Sequence, residues 1–373
     1  MDNRLNKLAK LLVEYSTKIK PEDFVLVSGQ DASIPWIEEV VKEAVKKGAH
    51  VETIINSLGA NSAKLRYSSL DQLKKGNYIL EKAIEKADVW ISAWGTNNTR
   101  VDFNIQANKI AAEAEGNSTW RRTYFDRSGN GELRWCGTQF PTQGNAMEAN
   151  MSLSEYEDFV YAAGQIDEDD PISQWKRISA EQQRWVDYLD TKKELHIVSE
   201  NTDIYVKFEG RKWVNCDGKQ NFPDGEICTS PVENSINGKI NFSFPGIFQG
   251  KEIEDINLVI EKGKVIKATA KKGQELLDSL LDLDEGARYF GEVAIGTNYG
   301  IKNFTKNMLF DEKIGGTIHM ALGNSLFEAG GKNVSTIHWD MLCDMKNHGK
   351  IYADDQLFYI DGHFINDIID KKN

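Results

Sequence analysis

The chain has 373 residues, a formal net charge of −12 and a pI near 5.2. This acidic balance disfavours nucleic acid as a partner, because a nucleic-acid site must offer a basic surface to the phosphates. No apolar run approaches the roughly 18 residues of a membrane-spanning helix, and residues 1–20 lack the apolar core of a signal peptide. The four scattered cysteines predict no disulfide framework. We therefore expect a cytoplasmic protein, and the length favours two domains.

The first half of the chain alternates segments with strand and helix patterns. Such alternation is typical of a parallel sheet covered by helices. We therefore predict an α/β domain with a Rossmann-like parallel sheet over residues 1–190. Neither G-x-G-x-x-G nor the P-loop motif follows a strand, so the pattern gives no support to a nucleotide-binding role. The predicted strands cover residues 24–28, 50–55 and 88–93, and the predicted helices cover residues 5–15, 35–45 and 70–87.

The pattern changes in the second half, where a helical stretch with a turn near Pro171 gives way to period-two alternation beyond residue 193. Alternation of apolar and polar residues is what half-buried strands show. Two hairpins are predicted at residues 256–270 and 350–365. We therefore predict a second domain, β-rich and mixed α+β, over residues 191–373.

Four side chains that commonly bind metals lie in a glycine-rich stretch near the end of the chain. They are Glu292, His319, His338 and Asp340. Both histidines follow a Thr-Ile pair, and these β-branched neighbours favour strands. Residues two apart on a strand share a face, so His338 and Asp340 would project the same way. Imidazole and carboxylate groups aimed together suit a borderline metal such as Zn²⁺.

A structural alternative stays open for the two histidines, since each could be a core residue satisfied by a backbone carbonyl. The metal hypothesis also draws in Glu226, which the polar loop 215–228 delivers to the start of an apolar segment. Alone, Glu226 is typical of an exposed loop carboxylate. Beside a site of two histidines, Asp and Glu, it becomes a candidate fifth ligand. No H-E-x-x-H motif is present, which excludes the helix-borne zincin arrangement.

Six blocks of the second half form a recognisable set. They read GRKWVNCDGKQNFPDGE, SPVENSINGKI, GEVAIGTN, DEKIGGTIHMALG, GGKN and STIHWDM. Together they resemble the thermophilic aminopeptidase family of aminopeptidase T, AmpS and PepS, and the first half fits more loosely through MSLSEYEDFV. The resemblance implies a metal-ligand role for Glu226 in NFPDGE, Glu292 in GEVAIGTN, His319 in GTIHMALG, and His338 and Asp340 in IHWD.

The resemblance implies an aminopeptidase that releases N-terminal residues from short peptides. Two divalent metal ions (Zn²⁺, Co²⁺ or Mn²⁺) would share a carboxylate and a bridging water that attacks the scissile carbonyl. A general acid/base is also needed, and Glu312 and Glu233 are the candidates, with an ion pair or turn contact as the alternative for each. The resemblance further implies a homodimer that encloses the site.

One position departs from the family pattern. The family places a tyrosine seven residues after the GTIH histidine, whereas this chain has Leu326 there. A phenol able to bind an oxyanion is therefore missing. Two other functions stay open: a mononuclear iron ring-cleaving dioxygenase of the same fold, and a metal-stabilised dimer without catalysis. The dioxygenase would hold one metal ion and consume oxygen.

Overall fold

A computed structural model of the protein describes residues 3–370. Its contacts divide the chain into two compact units, Met1–Gln174 with Gly218–Pro223, and Trp175–Asp217 with Asp224–Asn373. The sequence-based boundary at residue 190 falls at the end of a long helix, whereas these contacts divide the chain near the first turn of that helix. Within the described residues, no helix is both long and apolar enough to cross a bilayer.

The helices concentrate in the first half of the described chain. In order they are α1 (Asn3–Leu11), α2 (Ile34–Lys46), α3 (Leu58–Tyr67), α4 (Leu70–Leu73), α5 (Tyr78–Lys86), α6 (Ala107–Gly116), α7 (Ser118–Gly129), α8 (Gln143–Glu148), α9 (Leu153–Ala163), α10 (Pro171–Leu189), α11 (Gln274–Leu281), α12 (Met308–Asp311) and α13 (Asp367–Asp370). A π-helical turn, Leu12–Ser16, continues α1, and short 3₁₀ turns occur at Asp31–Ser33 and Phe327–Ala329.

The strands concentrate in the second half. In order they are β1 (Phe24–Gln30), β2 (His50–Asn56), β3 (Val89–Trp94), β4 (Arg134–Gln139), β5 (Glu194–Ser199), β6 (Thr202–Lys207), β7 (Val214–Cys216), β8 (Asn221–Phe222), β9 (Glu226–Thr229), β10 (Asn237–Phe242), β11 (Gly246–Phe248), β12 (Lys251–Ile253), β13 (Ile256–Glu261), β14 (Lys264–Thr269), β15 (Phe290–Gly296), β16 (Thr317–Gly323), β17 (His338–Asp344), β18 (Lys350–Ala353), β19 (Gln356–Ile360) and β20 (His363–Phe364).

The first unit is built on a parallel sheet of order β2-β1-β3-β4-β8. Parallel strands covered on both faces are apolar, and the central β1 accordingly buries Val25, Leu26 and Val27. Ile84 of α5 packs with Leu26 in one apolar cluster. The predicted α/β domain is confirmed, and the order 2-1-3-4 is that of the flavodoxin-like variant of doubly wound sheets.

The prediction of one continuous helix over residues 70–87 is wrong in its middle. Helix α4 ends at Leu73 and α5 begins at Tyr78. Between them Gly76 has φ +66°, a left-handed conformation that a glycine adopts without steric cost. The side chain of Asn77 then accepts a hydrogen bond from the backbone N–H of Leu80 at 3.1 Å and caps α5. Glycine followed by asparagine ends one helix and starts the next.

The second unit contains two larger antiparallel sheets. Eight strands have the order β14-β13-β10-β6-β5-β18-β19-β20, and five have the order β17-β16-β15-β9-β7. One apolar core includes residues from both sheets, among them Ile197 and Ile204 of the first and Met320 and Trp339 of the second. The predicted hairpins are present as β13–β14 and β18–β19. The β-rich character of the second half is therefore confirmed.

Candidate metal centre

The five-stranded sheet of the second unit has one apolar and one polar face. Its apolar face packs into the core through residues such as Val293, Ile295 and Met320. The other face carries all five predicted ligands, and each is paired with a small residue on the neighbouring strand. The pairs are Glu226 with Gly296, His319 with Ala294, Glu292 and Asp340 with Ala321, and His338 with Gly323.

Glu292 reaches this face because of a β-bulge. Phe290 pairs with Leu322 and belongs to the core, so simple alternation would send Glu292 into the core as well. The register shifts between Phe290 and Glu292, and the extra residue, Gly291, turns Glu292 to the polar face. A side chain cannot replace glycine here, since a Cβ on Gly291 would lie 2.1 Å from the carbonyl oxygen of Asn324.

The ligand atoms converge around the two imidazoles. Nε2 of His319 lies 3.4 Å from Oε2 of Glu226 and 3.6 Å from Oε1 of Glu292. It is also 4.0 Å from Oδ1 of Asp340. Nε2 of His338 lies 3.1 Å from Oε2 of Glu292 and 3.6 Å from Oδ1 of Asp340. Glu292 therefore presents one oxygen to each histidine and joins the two halves of the cluster.

The orientation of His338 is fixed by the backbone. Its Nδ1 lies 2.8 Å from the carbonyl oxygen of Asn324, and in the tautomer that donates this hydrogen bond Nε2 is the nitrogen free to bind a metal. Metal-binding histidines usually have such a partner on the other ring nitrogen. His338 therefore has the backbone carbonyl contact expected of a core histidine. It also has the neighbouring carboxylates expected of a metal ligand.

Two of the converging oxygens lack a donor. Oε2 of Glu226 and Oδ1 of Asp340 are buried, and within residues 3–370 no group donates a hydrogen bond to either. A buried acceptor without a partner is costly. Imidazole nitrogens and carboxylate oxygens suit Zn²⁺ and its neighbours among the divalent transition metals. The residues present therefore fit a divalent cation, which would supply the missing positive partner.

A lysine that the sequence analysis did not single out lies beside the ligands. Lys313 has a side chain only 1% exposed, and its Nζ lies 2.8 Å from Oε1 of Glu226. It also forms a short ion pair with Glu312 and lies 3.7 Å from Oδ1 of Asp224. No sequence signal marked it, because a lysine next to a glutamate is typical of a solvated surface.

The carboxylates and imidazoles shift one another's pKa. Burial alone would lower the pKa of His319, but Glu226 and then Glu292 raise it to about 9. The pKa of His338 rises to about 10 against burial, mainly through Asp340 and Glu292. Burial raises the pKa of Glu226 to about 8 and that of Asp340 to about 6. The protein groups alone therefore hold protons near neutral pH, which a bound metal would displace.

The two candidate acid/base residues lie in different surroundings. Glu312 belongs to a group with His319 and Asp340 whose ligand atoms lie within 4.8 Å of one another. Glu233 instead accepts two hydrogen bonds from the guanidinium of Arg211, at 2.8 and 2.7 Å, and a third from the backbone N–H of Lys332 at 2.8 Å. The structure thus brings Glu312 to the cluster, whereas Glu233 is held in an ion pair.

The chain has clear similarity to known proteins over nearly its whole length. The family model described as thermophilic metalloprotease (M29) matches residues 1–364. The chain is 26% identical over 360 residues to aminopeptidase AmpS of Bacillus subtilis (strain 168), which covers 89% of this chain and 87% of AmpS.

Two solved structures share the fold. Wild-type AmpT from Thermus thermophilus has a TM-score of 0.85 at 20% identity, with 97% of this chain and 99% of AmpT covered. A 2,5-dihydroxypyridine dioxygenase from Pseudomonas putida KT2440 has a TM-score of 0.59 at 15% identity, with 98% of each chain covered. At these identities the likenesses concern the fold alone. The family match, in contrast, spans almost the entire sequence, and the chain therefore belongs to the thermophilic metalloprotease (M29) family, as the resemblance predicted.

Proposed function

We propose that this metalloprotease is an aminopeptidase that removes N-terminal residues from short peptides with two divalent metal ions in its centre. The observation that carries the proposal is the convergence of five ligand side chains on one sheet face, with nitrogen–oxygen distances between 3.1 and 4.0 Å. The name of the relative AmpS, an aminopeptidase, supports the exopeptidase specificity.

The grouping of the ligands supports two ions rather than one. Two sets of three side chains have ligand atoms within 4.8 Å of one another, and they share Glu292. The first set adds Glu226 and His319, and the second adds His338 and Asp340. Each set would hold one ion, and Glu292 would serve both. The donor types suit Zn²⁺, Co²⁺ or Mn²⁺.

The charges at the site also support two metal ions. Five carboxylates (Glu226, Glu292, Glu312, Asp340 and Asp224) lie around the ammonium of Lys313 and the two imidazoles. With these carboxylates ionised and both imidazoles neutral, as metal ligands are, the cluster has an excess of four formal negative charges. One divalent ion would leave the buried cluster negative, and uncompensated buried charge is strongly unfavourable. A second divalent ion removes that excess.

The chain's own residues position the reaction. When bound, the ions would act as Lewis acids towards the scissile carbonyl and make a nucleophilic water available at neutral pH. Asn324 holds the ring of His338 through Nδ1, and Lys313 fixes Glu312 beside the cluster. We assign to Glu312 the transfer of a proton from the attacking water to the leaving amine, because a general acid/base must reach both groups and Glu312 is the candidate that lies beside the cluster. The acidic surroundings would attract the positively charged α-amine of a peptide.

Metal removal and restoration test the proposal directly. The chelated protein should not hydrolyse aminoacyl anilides or dipeptides, and added Zn²⁺, Co²⁺ or Mn²⁺ should restore hydrolysis with two ions bound per chain. The N-acetylated form of each substrate is the matched control and should resist cleavage, because it lacks the α-amine. Peptides of increasing length then test the preference for short substrates.

The same experiment distinguishes the alternatives. Oxygen uptake on dihydroxypyridines with one iron per chain would favour the dioxygenase function instead, since a 2,5-dihydroxypyridine dioxygenase shares the fold. Tight metal binding without turnover of any substrate in the panel would favour a metal-stabilised protein without catalysis. Cleavage of the acetylated substrates would contradict the exopeptidase assignment.

A further inference from the structure

A pair of cysteines lies on the polar face of the five-stranded sheet beside the ligands. Cys216 ends β7 and Cys228 lies in β9. In the antiparallel register Cys216 is paired with Glu226, and Val214 is paired with Cys228. The two cysteines are therefore diagonal neighbours on adjacent strands, and both share the face of Glu226, because residues two apart on a strand point the same way.

The distance between the two sulfur atoms fits a shared metal ion. Sγ of Cys216 lies 3.6 Å from Sγ of Cys228. Two thiolates on a tetrahedral Zn²⁺, each at about 2.3 Å, would be separated by roughly 3.8 Å. A disulfide would need a sulfur–sulfur distance of about 2.0 Å, and both cysteines are free thiols. The distance is that of a hydrogen bond between the two thiols, and it is also the spacing of two ligands to one ion.

Glu226 supplies the third donor. One ligand atom from each of Cys216, Cys228 and Glu226 lies within 4.8 Å of the other two. Glu226 is buried beside the two sulfur atoms, and because it is a carboxylate, close packing of small apolar side chains does not account for the whole cluster. Cys216 is partly exposed, which gives an ion a way in. Three protein ligands leave a fourth position open, as at many zinc sites.

We propose that Cys216, Cys228 and Glu226 form a further metal site, selective for thiophilic divalent cations such as Zn²⁺ and Cd²⁺, that adjoins the carboxylate–histidine centre and shares Glu226 with it. Soft thiolate ligands favour these cations, whereas Mn²⁺ prefers oxygen donors. The site does not depend on the proposed peptidase activity. Because Glu226 is shared, a thiophilic ion bound to the cysteines would compete with the neighbouring centre for this carboxylate.

A Cd²⁺ titration of the full chain tests the site without any activity measurement. The protein is first reduced with a phosphine and stripped of metal, and the ultraviolet charge-transfer absorption of thiolate-bound Cd²⁺ is then recorded, with bound metal counted by equilibrium dialysis. The wild type should show the band, saturating at one thiolate-bound Cd²⁺ per chain, and Mn²⁺ should give none. Cys216→Ser and Cys228→Ser should each lose most of the band. Glu226→Gln should weaken Cd²⁺ binding at least about tenfold, because loss of a residue that only hydrogen-bonds to a metal ligand already lowers metal affinity by about that factor.

Two control variants make the result specific. Cys343 is buried on the apolar face of the same sheet, and Cys343→Ser should retain the full band. His338→Ala should also retain it, although that variant removes a ligand of the neighbouring centre, so failure of the peptidase proposal and failure of this one give different results. Far-ultraviolet circular dichroism checks that each variant is folded.

Three outcomes would overturn the proposal: a wild type without the band, a band that survives in the folded Cys216→Ser and Cys228→Ser variants, or a Cys216–Cys228 disulfide that persists in the phosphine and is seen as the loss of two hydrogens by intact mass. The wild-type measurement decides the first and third even if every cysteine variant fails to fold.

Discussion

The ammonium of Lys313 lies 2.8 Å from Oε1 of Glu226, the carboxylate whose other oxygen lies 3.4 Å from Nε2 of His319. A buried lysine and the candidate metal centre thus bind opposite oxygens of one side chain. The same ammonium forms an ion pair with Glu312. Lys313 therefore compensates two carboxylates that would otherwise be buried without a cation on that side, and it orients both towards the cluster.

Replacing Lys313 with methionine should destabilise the metal-free protein by about 3–5 kcal/mol, because removing one partner of a buried ion pair leaves the other charge uncompensated. Urea unfolding in the presence of a chelator measures the change. The matched control is Lys272→Met, whose side chain is 59% exposed in an ion pair with Glu254 and which should cost less than about 1 kcal/mol. Equal losses in the two variants would show that Lys313 does not compensate buried charge.

Replacing His338 with alanine should remove one bound metal ion per chain and reduce peptide hydrolysis by at least about 100-fold, since the ring is a direct ligand in our assignment. Loss of a residue that only hydrogen-bonds to a metal ligand already lowers metal affinity or activity by about 10- to 100-fold. Metal content by mass spectrometry and turnover on an aminoacyl anilide measure both effects. His50→Ala is the control, because that side chain is 72% exposed in the first unit. Full activity in His338→Ala at full metal content would refute the assignment.

The small residues opposite the ligands leave room for the ligand side chains to meet. Ala321 is buried and is paired with Glu292 on one side and Asp340 on the other. Ala321→Leu should place a branched side chain between these carboxylates, and overpacking of about 1–3 kcal/mol should weaken metal binding roughly tenfold to a hundredfold. Isothermal titration with Mn²⁺ measures this. Ala321→Gly leaves the space open and should bind metal as the wild type does; unchanged affinity in Ala321→Leu would mean that the ligands do not meet over Ala321.

The candidate ligands could be selected from the sequence, but the way in which their side chains meet could not. The spacing of His338 and Asp340 correctly placed them on one face of one strand. The same counting would put Glu292 on the face of Phe290, in the core, and only the bulge at Gly291 turns it towards the histidines. A bulge depends on the partner strand, so a single segment carries little trace of it.

Long-range contacts account for the other features that the sequence did not reveal. Lys313 follows Glu312 in a charged stretch, and only the fold shows that it is buried against Glu226, far away along the chain. Cys216 and Cys228 lack any metal-binding spacing motif, yet antiparallel pairing makes them neighbours. In the first unit the alternating pattern predicted the parallel sheet, whereas the two-residue strand β8 joins it from a segment inside the second half of the sequence.

The hydrogen bonds of the segment just before His338 predict how the stability of the fold depends on pH. Asp284 accepts hydrogen bonds from the hydroxyl and backbone N–H of Thr336, at 2.7 and 2.8 Å, and from the hydroxyl of Ser335. These bonds, the Thr336 hydroxyl first, lower the pKa of Asp284 to about 2. The unfolded value is about 3.9, so the carboxylate stabilises the folded chain above about pH 4, and this contribution is lost as the pH falls towards 2.

Asp284→Asn should therefore lower the free energy of unfolding by a constant amount between pH 5 and 7, and the difference from the wild type should shrink as the pH falls from about 4 towards 2. Urea unfolding at a series of pH values measures the difference. A gap between wild type and variant that widened on acidification would contradict the hydrogen-bond explanation of the pKa of Asp284.

Leu326 occupies the position at which the resemblance to thermophilic aminopeptidases implies a tyrosine. Its backbone N–H donates to the hydroxyl of Ser230 at 3.0 Å, and that hydroxyl donates to the carbonyl of Gly291, the residue before Glu292. Leu326 is thus tied to the bulge that orients a ligand. Leu326→Tyr should raise kcat for peptide hydrolysis, by up to about 10²-fold, because one oxyanion donor is typically worth about 10²–10³ in rate. Leu326→Phe adds the ring without the hydroxyl and should leave kcat near the wild-type value. Equal rates in the two variants would show that a phenol at this position does not reach the reacting carbonyl.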